Sequence, residues 1–424
     1  MKYSIYNNII ELTDNTKVIY NALTDKFVFL SNRIQIPEKP AELSVKFYEL
    51  FKQAGIIIPT EMNELQEYLY KAKEIECDDN SFRLIVNPTI NCNFKCWYCY
   101  EDHYPSQMLP KTILSVNKLI EKIANEHKII QLSFFGGEPL LYYKQVVSPI
   151  LKNTCDLLSC KNNQLYVDIT SNGFLLSDRI ISELKCLPEL RFQITLDGGP
   201  NVHDRTRFVN KKIGSYHRIT ENVKKLVENG IKVTLRVNCT KSNIESVKEV
   251  PLTFSNLTVS QKNLIHIDMQ KVWQEAQDID DEIEQVMEIF KQAGFKISHK
   301  LLGPYCYGDL KYSAMINYNG DVYKCTAVNF AKKERDGYLS DNGQIVWEND
   351  SQNRRLAKKF INEPCHRCKI FPLCHGGCSK HSIQAAGKDY CIFDFSEAKK
   401  NKFITNRLLY NIRYNSKFNN INIK

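Results

Sequence analysis

From residue 83 to about 293, short apolar runs alternate with amphipathic stretches six times. The runs are 83–88 (RLIVNP), 129–135 (IIQLSFF), 165–170 (LYVDIT), 190–196 (LRFQITL), 231–237 (IKVTLRV) and 264–269 (LIHIDM). Short runs rich in Ile, Val, Leu and Phe predict strands. Between them, Lys111–Glu126, Asp178–Lys185 and Tyr216–Glu228 return apolar residues to one side every three or four positions and predict helices. Buried apolar strands alternating with helices predict parallel β/α units. Six units fit a partial (β/α)6 barrel or a doubly wound sheet. The polar signatures decide between them, because each falls where a strand ends: Cys92 to Cys99, Gly136-Gly137-Glu138-Pro139, Thr170-Ser171-Asn172-Gly173, Asp197-Gly198, and Arg236 with Asn238. Active groups at the C-terminal ends of several strands predict the barrel.

The chain before this pattern reads as a small separate α+β domain, residues 1–83. Three short β-rich runs (from Ser4, Val18 and Lys26) are broken by polar turns, and two helical patterns follow, Ala41–Ala54 closed by Gly55 and Thr60–Lys73. Strands followed by helices predict a winged-helix-like unit. Three further segments follow: a core barrel over 84–300, a cysteine-rich domain over 301–395, and a basic helix or tail over 396–424. The last holds seven Lys and Arg against Glu397 alone, a balance of +6 out of +9 for the whole chain. No nucleic-acid motif accompanies that charge, so a solvated helix face is preferred over a nucleic-acid partner.

With 424 residues, 43% hydrophobic and 25% charged, the composition is that of a globular protein with two or three domains. No apolar run reaches the ~18 residues of a membrane span, and the first residues are not those of a signal peptide, so a cytoplasmic location without a membrane partner is expected. Fifteen cysteines without a secretion signal point to metal ligation rather than a disulfide framework.

Cys92, Cys96 and Cys99 stand as C-x3-C-x2-C on one predicted loop, with Tyr98 before the third. Thiolates are soft ligands for iron or zinc, and three of them leave one metal position open for chemistry. Zinc completed by a distant residue is the plainer alternative. The spacing resembles the cluster loop of the radical S-adenosylmethionine (SAM) enzymes, and Gly136-Gly137-Glu138-Pro139 behind the second strand resembles the element of that family that binds the methionine amino group. Gly136 and Gly137 lack Cβ and permit close approach of backbone to a ligand. Ser171 and Asn172 offer hydrogen bonds suited to a ribose or carboxylate, and Arg207 and Arg236 suit a carboxylate clamp. The stretch Leu196 to Arg207 looks like the family's fourth-strand segment, within which His203 is read as structural.

A second cluster follows: Cys306-x13-Gly320-x4-Cys325, then Cys365-x2-Cys368-x5-Cys374-x3-Cys378, and Cys391. It resembles the seven-cysteine SPASM domain, which implies two auxiliary [4Fe–4S] clusters besides the SAM-binding one. A zinc ribbon on Cys365, Cys368, Cys374 and Cys378 is the alternative. By the family pattern, Cys365, Cys368, Cys374 and Cys391 make a complete ligand set. Cys306, Cys325 and Cys378 make another that lacks a fourth cysteine, with Tyr305, Tyr307 and Asp309 as nearby candidates. Cys77, Cys155, Cys160, Cys186 and Cys239 are read as packing residues.

The resemblance covers residues 84 to about 395. It implies reductive cleavage of SAM to a 5′-deoxyadenosyl radical, with electrons from a flavodoxin or ferredoxin. It also implies a precursor peptide as substrate, because residues 1–83 resemble the recognition element that precedes many such enzymes and binds a leader. The expected function is a ribosomal-peptide (RiPP) maturase that installs a thioether or carbon–carbon crosslink. The first alternative is an anaerobic sulfatase maturase, although members of that group carry an Asp where this chain has Thr326. The second is a non-enzymatic zinc or iron–sulfur protein.

Overall fold

The computed structural model describes residues 1–12, 15–210, 213–298, 305–358, 361–385 and 387–414. The expected boundary at 300/301 and the last ten residues of the basic tail lie outside them. The chain forms two compact units. One comprises Met1–Asp78, Leu301–Lys311 and Gln352–Lys424; the other comprises Asp79–Lys300 and Tyr312–Ser351.

The first unit opens with an antiparallel meander, β1 (Asn7–Glu11), β2 (Thr16–Asn21) and β3 (Lys26–Ser31), in that order. Two helices follow, α1 (Val45–Ala54) and α2 (Glu64–Glu76). Both begin about four residues later than the sequence pattern predicts. Pro40–Glu42 form a single 3-10 turn, and Ser44 is extended (φ −62°, ψ 153°). The cap of α2 is Asn63, whose side chain accepts a hydrogen bond from the Gln66 N–H. Tyr6, Val18, Tyr20 and Phe27 pack in one core with Tyr68 of α2 and with Phe371, Leu373, Ile404 and Leu408 from the far end of the chain. The basic helix Glu397–Tyr414 is therefore not a wholly solvated face. Arg407, on that helix, pairs with Asp25 at 3.2 Å.

The second unit is built on one large sheet. Its parallel strands are β4 (Ser81–Val86), β5 (Ile129–Phe134), β6 (Gln164–Ser171), β7 (Leu190–Leu196), β8 (Lys232–Cys239), β9 (Ile265–Lys271) and β10 (Lys296–Ser298). Helices lie between them, among them α3 (Pro110–Glu126), α4 (Ser148–Leu158), α5 (Asp178–Leu184), α6 (Pro200–Thr206), α7 (Tyr216–Glu228) and α8 (Asp280–Gln292). The six predicted strands and three predicted helices fall within a few residues of β4–β9, α3, α5 and α7. Each parallel strand pairs with the next in chain order. A doubly wound sheet reverses that order at a switch point, whereas a (β/α) barrel does not. Beyond β4 the sheet continues through β11 (Ser313–Ile316), β12 (Asp321–Tyr323), β13 (Gly337–Leu339) and β14 (Ile345–Trp347), of which only β11 is parallel to its inner neighbour.

The strands are not apolar on both faces, as buried parallel strands usually are. Leu132, Phe134, Phe192, Ile194, Leu235 and Val237 are fully buried, while their neighbours Gln131, Ser133, Gln193, Thr195 and Arg236 are only partly so. Alternation of this kind leaves one face of the sheet more polar and only partly buried.

Candidate functional site

The three cysteines sit on the loop that follows β4. Cys92 and Cys96 are half-buried and Cys99 is exposed. The Phe94 N–H points at Cys92 Sγ (3.4 Å), and His103 Nε2 lies 3.3 Å from Cys99 Sγ while its Nδ1 reaches the Ile90 carbonyl (2.8 Å).

The glycine turn after β5 is stitched to this loop. Gly136 has φ +89°, and a Cβ on it would lie 2.6 Å from the Thr89 carbonyl oxygen. A Cβ on Gly137 would lie 2.1 Å from the Asn91 carbonyl oxygen, and the Glu138 N–H donates to that same oxygen at 2.8 Å. Both glycines thus admit the backbone of the cysteine loop. The Glu138 carboxylate is fully buried and accepts from the Leu140 N–H (3.0 Å), the Ser171 hydroxyl (2.8 Å) and the Asn172 N–H (2.7 Å). Burial raises its pKa, and these donors oppose the rise. Pro139 is buried and starts a 3-10 turn. Asn172 carries the link onward: its Nδ2 donates to Asn93 Oδ1 (2.8 Å) and lies 4.0 Å from Cys92 Sγ. Ser171 and Glu138 are spent on each other, and Asn172 faces the cysteine loop.

Tyr98 is held from the other side. Its hydroxyl donates to Asp197 Oδ2 (2.5 Å) and accepts from the Arg207 guanidinium (2.7 Å), whose ion pair with Asp197 spans 4.0 Å. Both charged groups are buried. The Asp197 N–H donates to His203 Nδ1 (3.2 Å), so the ring proton is on Nε2, which meets the Ser215 hydroxyl (3.0 Å); that hydroxyl donates to the Arg207 carbonyl (2.6 Å). His203 is a neutral strut. Burial, with the Arg207 charge adding to it, holds its pKa well below the ordinary 6.5.

Beside Cys99 lies a cavity of about 300 Å³. Its wall includes Tyr98, Arg207 and Arg236, with Gln193 and Thr195 from β7 and Asn238 from β8. Arg236 Nε donates to Asn238 Oδ1 (3.0 Å). Asp197, Asn93 and His103 were not singled out as site residues from the sequence. Asp197 was legible as the first residue of the strand-end signature Asp197-Gly198, whereas Asn93 and His103 carry no signal of their own.

Burial pushes the Cys92 thiol up to about 12 and also raises Cys96. A metal would have to displace those protons. Among the described residues, no group of three or more His, Cys, Asp or Glu side chains is gathered to hold a single ion. Three thiols on one loop can hold three corners of a cubane and leave its fourth iron open. The buried, unpartnered polar atoms Asp197 Oδ1, Arg207 Nε and Asn93 Nδ2 are further unspent capacity for a polar ligand. The residues present fit a cluster and SAM.

Of the remaining cysteines, Cys365, Cys368, Cys374 and Cys391 line one small cavity with Gly376, Gly377 and Tyr390. Burial pushes the Cys374 thiol up to about 12. Cys306 and Cys378 belong to the same unit, and Cys325 belongs to the unit of the large sheet. Asp309 accepts a short hydrogen bond from Ser379, and Tyr305 stacks on His375 at 4.2 Å.

Residues 86–250 match the model of the radical SAM superfamily. Over 167 residues, 38% of this chain, the sequence is 27% identical to the sporulation killing factor maturation protein SkfB of Bacillus subtilis (strain 168), of which the match covers 36%. It is also 27% identical over 157 residues, 34% of this chain, to a cysteine-type anaerobic sulfatase-maturating enzyme of Clostridium novyi (strain NT), of which it covers 40%. The chain thus spans well under half of either relative. A solved structure of Streptococcus suis SuiB bound to precursor peptide SuiA has the same fold over 92% of this chain and 97% of that one, with a TM-score of 0.54 and 14% identity. The superfamily match falls on the segment that carries the cysteine loop, the glycine turn after β5 and Ser171-Asn172, so it is in this segment that the chain is similar to the radical SAM superfamily.

Proposed function

We propose that the protein is a radical SAM maturase that installs a crosslink, a thioether or a carbon–carbon bond, in a ribosomally made peptide. The observation that carries this reading is the cysteine loop bound edge to edge with Gly136–Pro139 beside an open cavity of about 300 Å³. Cys92, Cys96 and Cys99 would hold the cluster, and Tyr98, Gly136, Gly137, Asn172, Arg207 and Arg236 would hold SAM. When bound, the cluster and SAM supply a carbon-centred radical that removes hydrogen from an unactivated carbon. The protein's part is placement. Glu138 fixes Asn172 against the loop, Asp197 and Arg207 fix Tyr98, and the polar face of β7 and β8 shapes the cavity for a substrate. Cys365, Cys368, Cys374 and Cys391, which line one cavity, would hold an auxiliary cluster.

In the first unit, β1 is an edge strand of the meander. It borders a groove of about 760 Å³ that includes Ile9, Ile36, Asn401 and Ile404. An open edge beside a groove suits an added peptide strand, which would be the leader.

A second reading, protein maturation of the anaerobic-sulfatase type, draws support from the Clostridium novyi relative. Thr326, which lines the cavity, stands where that group is expected to carry an Asp base, and favours the peptide crosslink. The test is Cys96→Ala in anaerobically reconstituted protein. It is expected to abolish deoxyadenosine formation and to lower the iron content by one cluster's worth while the remainder persists. Undiminished turnover in that variant refutes the assignment.

A further inference from the structure

The outer wall of the cavity carries side chains that the placement of SAM leaves unused. Lys271 ends β9, Val272 is buried, and Trp273 projects outward with 70% of its surface exposed. Trp273 stacks on Tyr100 of the cysteine loop, with ring centroids 5.3 Å apart and planes at 29°. The Gln274 side chain donates to the Tyr98 carbonyl at 3.0 Å. The segment after β9 is thus fastened to the cysteine loop, and its exposed tryptophan stands at the rim of the reaction cavity.

Lys271 is the most exposed of Arg207, Arg236 and Lys271 on the cavity wall, and among the described residues that line it none is a carboxylate. The inner two have internal tasks. Arg207 is bound to Tyr98 and Asp197. Arg236 bonds Asn238 and stands in register beside Asp268 on β9. The Lys271 ammonium donates to the backbone carbonyl of Gln277 at 2.9 Å and its charge also acts on the Glu275 carboxylate, which is itself held by the Gln277 and Lys241 N–H groups; the lysine side chain is exposed. The rim therefore offers a cation next to a flat aromatic shelf, which matches a carboxylate next to a large apolar or aromatic side chain.

We propose that Lys271, Trp273 and Tyr100 form a specificity subsite that takes an acidic residue adjacent to an aromatic or large aliphatic residue in the substrate peptide. The inference rests on the peptide-maturase reading and adds the chemistry of the segment that enters the cavity. The subsite selects which stretch of the peptide lies over the cavity; it takes no part in breaking or forming bonds.

The test uses the full-length, cluster-loaded enzyme with SAM and a displayed library of random hexapeptides. Wild type is expected to retain peptides enriched at least threefold in Asp or Glu beside Phe, Tyr, Trp or Leu. Lys271→Glu should replace the acidic preference by Lys or Arg, and Trp273→Ala should remove the apolar preference. SAM affinity should stay within twofold of wild type in both variants. Retained peptides without acidic bias, or with the same bias in Lys271→Glu, overturn the subsite and leave the peptide reading intact. A loss of SAM affinity in Lys271→Glu also overturns it, by assigning that lysine to the cofactor. Retention of no peptide by wild type refutes the peptide reading itself.

Discussion

Glu138→Gln is the sharpest probe of how the site is assembled. The carboxylate makes three hydrogen bonds, two at Oε1 and one at Oε2, to donors on the turn after β5 and at the end of β6. A glutamine that keeps its oxygen at the Oε1 position retains the bonds from Leu140 and Ser171. Its amide nitrogen then faces the Asn172 N–H, so one charge-assisted bond worth ~1.5–3 kcal/mol is lost and a buried donor costing ~1–3 kcal/mol is left unpaired. Removing a buried charge offsets part of this, because burial already raises the Glu138 pKa. A net cost of about 3 kcal/mol remains, equivalent to a roughly 100-fold change in a local opening equilibrium. Hydrogen exchange across the segment 165–176 reads that opening directly. The amides of Asn172 and Gly173 should exchange about 100-fold faster at constant pH, and SAM affinity should fall with them because Asn172 no longer faces the loop. Exchange within threefold of wild type, together with unchanged SAM affinity, would refute the view that Glu138 is the staple of the site.

Two further outcomes are expected. The folded pKa of His203 is depressed, so below the ordinary value of 6.5 the unfolded chain takes up a proton that the fold refuses. Its contribution to stability is complete above pH 6.5 and is lost on acidification at up to about 1.4 kcal/mol per pH unit; His203→Asn should flatten the urea-unfolding profile between pH 6.5 and 5, and an unchanged slope would refute the neutral strut. In the first unit, Ile9 on the edge strand is 60% exposed, so Ile9→Lys should leave stability within about 0.5 kcal/mol while weakening precursor-peptide binding at least tenfold by calorimetry; equal affinity would exclude the edge as the leader site. Deleting the whole segment is a poorer test, since Tyr6, Val18, Tyr20 and Phe27 share a core with residues near the C-terminus.

The sequence by itself determined the β/α alternation, the strand ends that carry the chemistry and the cysteine spacings, because these depend on periods of two to four residues and on side-chain type. It also placed the cavity arginines and the glycine turn. Tertiary structure decided what is non-local. Residues 313–347 extend the β4 edge of the large sheet, and no local pattern records which edge a strand will join. Residues 1–78 share a compact unit with 352–424, a pairing set by complementary apolar faces more than 270 positions apart. The glycines of the turn were legible as places of close approach; that the approaching group is the carbonyl of Asn91 depends on how two loops from neighbouring strands stack. Arg207 and Glu138 were legible as polar groups at a site. Their commitments to Tyr98 and to Ser171 and Asn172 depend on distances that only the packed barrel brings below 3 Å.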